Sequence, residues 1–160
     1  MQISDPTVRT IVDFLRQIGL DIRMEAIEGE TFLPGIRIQP NGLLVDMEKL
    51  LYPGDLLHEA GHVATIIPED RAKGSTNTGS DMGTEIAAQI WSYTAAVHLG
   101  LPPEIVFHEN GYKGSSERLI ESFRAGAVGV PLLQWMGLTT METYPKMHKW
   151  LREAPVSEPA

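Results

Sequence analysis

The chain has 160 residues, 42% of them hydrophobic, a formal charge of −8 and no cysteine. That length fits one domain with one core, expected over residues 1–153. The acidity disfavours a nucleic-acid backbone as partner, and the missing thiols exclude disulfides and thiolate metal sites.

Asp5 is placed to cap a first helix, with Pro6 at its first position and Gly19 as its stop. Val8, Ile11, Val12, Leu15 and Ile18 form its apolar stripe. Leu20, Ile22, Met24 and Ala26 then alternate with polar residues as in a half-buried strand. Residues 36–39 and 43–46 flank an Asn41-Gly42 turn signal, which Pro40 weakens. Three short antiparallel strands are expected.

Asp55 is a candidate N-cap for the next helix, which carries Leu56, Leu57, Val63, Ala64 and Ile67 and must end near Pro68. Residues 68–80 are polar and read as a loop. A strong helix follows over residues 82–99, with Gly100 and Pro102 behind it. Further helices are expected over residues 116–125, 130–136 and 140–152, before a disordered tail at 154–160. The fold class is therefore α+β, a small antiparallel sheet on a mainly helical body. The first residues read Met-Gln-Ile-Ser-Asp-Pro, without a basic region leading into an apolar run, and no apolar run nears the roughly 20 residues that span a bilayer. A cytoplasmic protein without a membrane partner is expected.

The chemistry concentrates in His58-Glu59-Ala60-Gly61-His62. Residues four apart share one helix face, so His58 and His62 can aim nitrogens at one metal ion. Without cysteine the ion is expected to be Zn2+ held by imidazole and carboxylate. Glu59 lies beside the ion, where a carboxylate can take a proton from activated water. The pattern alone is weak with five histidines in the chain. Its position on a helix, followed by a second helix bearing a carboxylate, strengthens it. A catalytic zinc keeps three protein ligands. Glu85, early in the following helix, is the leading third ligand. Asp81 is the alternative, although it also suits the helix cap.

This arrangement resembles the gluzincins, in which HExxH on one helix is completed by a Glu on the next some twenty to thirty residues later. Metzincins are excluded, because Thr65 and Pro68 stand where their pattern needs Gly and His. Over about residues 40–100 the chain is most similar to the minimal ImmA/IrrE-type metallopeptidases, through Glu85-Ile-Ala-Ala-Gln. It lacks their Ala-Asn-x-Phe-Ala run. Gln89 also replaces the Asp that thermolysin-like enzymes place after the ligand Glu. HEAGH is similar too to the protease motif of membrane-bound AAA proteases, whose other parts have no counterpart here. The gluzincin resemblance implies His58, His62 and Glu85 as zinc ligands and Glu59 as general base. It further implies a peptide or protein substrate, with the strand at residues 43–46 pairing with it.

Gln89 and Ser92 share the face of Glu85 and are candidates for supporting the ligands. His98, His108, Tyr93 and Tyr112 are candidate donors to an oxyanion, His108 and Tyr112 being the better placed in a polar turn. His148 reads as solvated, and Trp91, Trp135 and Trp150 as core or interface. The expected function is zinc-dependent peptide hydrolysis. The alternatives are a zinc-stabilised binding or regulatory module, and a zinc hydrolase acting on small molecules.

Overall fold

The computed structural model describes residues 3–74, 82–112, 114–126 and 128–153. It is α+β: a three-stranded sheet beside a helical body. Helix α1 (Pro6–Gln17) starts where its local signals put it, Asp5 accepting from the backbone N–H groups of Thr7 and Val8. Val8, Ile11, Val12 and Leu15 bury its apolar stripe.

Strands β1 (Asp21–Met24), β2 (Ile36–Gln39) and β3 (Gly42–Val45) lie in the order β1-β3-β2. The sheet is mixed, a correction to the antiparallel expectation. β2 and β3 form the hairpin, with Gln39 opposite Gly42. Pro40 sits in the two-residue loop, where no ladder N–H is required of it, and Asn41 takes a positive φ of 60°. β1 runs parallel to β3, with Ile22 opposite Leu43. Asp46 holds the returning chain that makes this order possible. Its carboxylate accepts from Ile27 N–H at 2.9 Å, and its own N–H donates to Gly35 at 2.8 Å. Gly42 admits no side chain, because a Cβ there would collide with the Asp21 carbonyl across the parallel ladder. Since β3 is paired on both sides, residues 43–46 present no free edge to a peptide; the outer strands are β1 and β2.

Helix α2 (Asp55–Ala64) is buried along its whole length. Its N-cap is Gly54, not Asp55, and no side chain caps it. Residues 68–73 are not loop: helix α3 (Pro68–Lys73) has Pro at its start, Glu69 and Asp70 in its first turn, and Gly74 at φ 64° beyond its end. These are ordinary start and stop signals that the polar composition obscures. Helix α4 (Met82–His98) packs along α2. Gly61 permits the approach, since a Cβ there would stand 2.7 Å from the Ala88 carbonyl oxygen.

A 3-10 turn (Pro103–Ile105) leads to the short helix α5 (Glu109–Tyr112), then α6 (Ser116–Arg124) and α7 (Val130–Trp135). The helix expected at 140–152 does not form. Pro145 lacks an N–H, and the Thr139 hydroxyl donates to the Lys146 carbonyl at 2.7 Å, giving the backbone partners outside a helix. His148 bonds Thr143 Oγ1 there at 2.9 Å. One cluster of buried side chains joins α1, the sheet, α2, α4, α6 and α7. Trp91 lies fully inside it, whereas Trp135 is exposed under the Arg152 guanidinium. The tail expected at 154–160 lies outside the described residues. Among the described residues no helix is long and apolar enough to cross a membrane.

Candidate metal centre

Every residue of α2 is buried, so its polar side chains must find partners within the protein. Helical spacing stacks His58 and His62, their rings edge to face with centroids 4.9 Å apart. His58, Glu59 and His62 are 5–7% exposed and bring one ligand atom each within 4.8 Å of the others. This group can hold a metal ion.

A second carboxylate arrives from α4. The Oε1 atom of Glu85 lies 3.3 Å from His58 Nε2, and its Oε2 lies 3.0 Å from His62 Nε2. The close α2–α4 contact at Gly61 sets that reach. Gln89, one turn further along α4, donates from Nε2 to Glu85 Oε1 at 3.4 Å. Ser92 instead turns its hydroxyl back to the Gln89 carbonyl at 2.7 Å. Asp81 lies outside the described residues.

The electrostatics separate the two glutamates. Hydrogen bonds from His58 and His62 hold Glu85 far below the usual carboxylate range, against the effect of burial. Burial pushes Glu59 up, and the nearby imidazoles only partly offset it. For His58 burial opposes the charge, but the hydrogen bond to Glu85 and the charges of Glu85, Glu59 and Asp55 outweigh it and raise its pKa. Among the described residues no Lys or Arg forms a salt bridge with Glu59 or Glu85.

The outer ring nitrogens differ. His58 Nδ1 meets the Tyr112 hydroxyl at 3.4 Å. His62 Nδ1 is buried with no hydrogen-bond partner among the described residues. Burial, then the charges of Glu85, Asp55 and Glu59, hold the Tyr112 phenol well above its ordinary value, so it stays a hydroxyl.

Asp55 is the residue that sequence reasoning misplaced. It is 5% exposed and its Oδ1 lies 2.8 Å from His108 Nε2. Burial raises its pKa, and the His108 hydrogen bond opposes that. Its position one turn before His58 on the same helix face was the available signal, hidden by its suitability as a cap. Of the four candidate oxyanion donors, Tyr93 packs in the core against Phe123, and His98 packs on Phe14 and Trp150. His108 faces Asp55, and Tyr112 reaches His58 on the nitrogen turned away from Glu85. Compared with known proteins, the chain matches no family model, no curated protein and no solved structure.

Proposed function

We propose that this chain is a zinc-dependent metallopeptidase, with His58, His62 and Glu85 as ligands and Glu59 as general base. The observation that carries the reading is the Glu85 carboxylate spanning both Nε2 atoms at 3.0 and 3.3 Å. Ligands about 2.0–2.1 Å from a tetrahedral zinc stand about 3.4 Å from one another. Two imidazoles and one carboxylate also match the ligand chemistry of catalytic zinc. Two glutamates beside two histidines, with no Lys or Arg salt-bridged to them among the described residues, form a site that a cation would neutralise.

Zinc, when bound, polarises a carbonyl oxygen and lowers the pKa of water toward about 7. Glu59 supplies the proton transfers. Its carboxylate accepts the proton that water releases on attacking the scissile carbonyl, and then delivers it to the leaving nitrogen. Burial suits Glu59 to both steps, because a carboxylate with a raised pKa holds a proton better. Glu85, strongly depressed, stays anionic throughout. An extended peptide would have to use an outer strand of the sheet, of which β2 packs on α2.

A zinc-stabilised binding module is the second reading. It draws support from the four candidate oxyanion donors, each of which is engaged with partners other than Glu59 and Glu85. The Glu59→Gln variant separates the two. Under the peptidase reading it keeps its zinc while turnover across a peptide library falls by about 10²- to 10⁴-fold. Full zinc occupancy in a wild type that cleaves nothing would favour the module, and loss of zinc in the variant would make Glu59 a ligand.

A further inference from the structure

We infer that Asp55, His108 and Tyr112 form a positioning relay that fixes His58 as a metal ligand from behind. The inference rests on the metal centre proposed above and extends it to residues that touch neither ion nor substrate.

The relay is built from the helix outward. Asp55 and His58 lie one turn apart on α2, which is buried throughout. His108 lies across from them just before α5. Its Nδ1 accepts the Gly111 N–H at 3.1 Å, so the ring proton belongs on Nε2, which donates to Asp55 Oδ1 at 2.8 Å. Stacking on Tyr52, centroids 4.0 Å apart and planes 20° apart, fixes the ring orientation. The His108 carbonyl accepts the Tyr112 N–H at 3.1 Å, which ties the tyrosine to the histidine within one turn. Tyr112 packs on Phe107 and brings its hydroxyl to His58 Nδ1.

That hydroxyl can serve His58 in either state. It donates to a bare Nδ1 when Nε2 carries the proton, and accepts from Nδ1–H when Nε2 is a ligand. A partner on the outer nitrogen fixes the tautomer and the ring angle of a metal-binding histidine. His62 has no such partner among the described residues, so the orientation of the pair is set on the His58 side.

The test is a competitive zinc titration against a chromophoric chelator, on the full chain, with thermal unfolding of each zinc-free variant measured in parallel. Wild type should bind one zinc. Tyr112→Phe and His108→Gln should each weaken zinc binding by about 10- to 100-fold, the usual effect of removing an outer partner. The double variant should lose no more than the stronger single, because both act through His58. Asp55→Ala should match His108→Gln, while Asp55→Asn, which keeps an acceptor for Nε2–H, should recover most of the affinity. A Tyr112→Phe protein that is folded and binds zinc as wild type does would overturn the relay while leaving the metal centre in place. Fully additive losses would overturn it as well. A wild type that binds no zinc would overturn the metal centre, and the relay with it.

Discussion

At the level of single residues, the proposed centre would divide its work between two glutamates, and each division is measurable. Glu85→Ala should weaken zinc binding by well over tenfold, since one of three proposed ligands is lost. Asp81→Ala should change affinity little and weaken the helix start by about 1 kcal/mol if it caps α4; titration of both variants decides the third ligand. The zinc-free protein should carry a pH signature of the same contacts. The raised His58 pKa stabilises the fold fully below the ordinary value of 6.5, and that contribution is lost as pH rises through the raised value. The depressed Glu85 contributes above the ordinary carboxylate range and is lost as pH falls through its folded value. Glu59 and Asp55, both raised, oppose the acid-side loss, so the alkaline side is the cleaner reading. Melting temperatures of chelated wild type should fall as pH rises past neutrality, and Glu85→Gln should flatten that slope. The candidate ligands were legible because helical spacing is local. Asp55 and the pairing of Tyr112 with His58 were not, because these partners come from distant segments and Asp55 satisfied a local rule that the fold did not use.

Among the elements, the contact between α2 and α4 is the one on which the centre depends. Gly61→Ala sets two effects against each other: helix propensity gains about 1 kcal/mol, and overpacking against the backbone costs about 1–3 kcal/mol. A Cβ 2.7 Å from a carbonyl oxygen of the facing helix has no flexible side chain to displace, so the contact should win. Urea unfolding should show a net loss, and zinc affinity should drop as Glu85 is pushed off the imidazoles. Asp5→Ala, at a cap without such a neighbour, should cost about 1 kcal/mol and leave zinc binding unchanged. The contrast also explains which elements could be read in advance. α1 was legible because cap, proline, stripe and terminal glycine agree within one stretch. The sheet order was not, since it turns on Asp46 reaching Ile27 and Gly35. The segment at 140–152 had helical composition, but the hydroxyls of Thr139, Thr140 and Thr143 supplied its backbone with other partners.

Across the whole molecule, the far end of α2 is closed by chain from two other regions. The buried Arg71 guanidinium donates to the carbonyls of Ala64, Ile66 and Arg152, at 3.4, 3.2 and 2.9 Å. Arg152 N–H donates to Ala64 at 2.9 Å, and Trp91 Nε1 donates to the Trp150 carbonyl at 2.8 Å. Arg71→Met should therefore cost about 2–3 kcal/mol, as expected when carbonyls lose a charged donor inside the protein, and urea unfolding of the chelated protein would measure it. The pairing of Arg71 with Arg152 spans 81 positions. During synthesis, every candidate ligand is made long before the segment at Arg152 that closes α2. A nascent chain thus holds all three candidate ligands, on two helices, before the first of those helices receives the Arg152 N–H on its Ala64 carbonyl, and the last turn of α2 is completed by residues outside the candidate site.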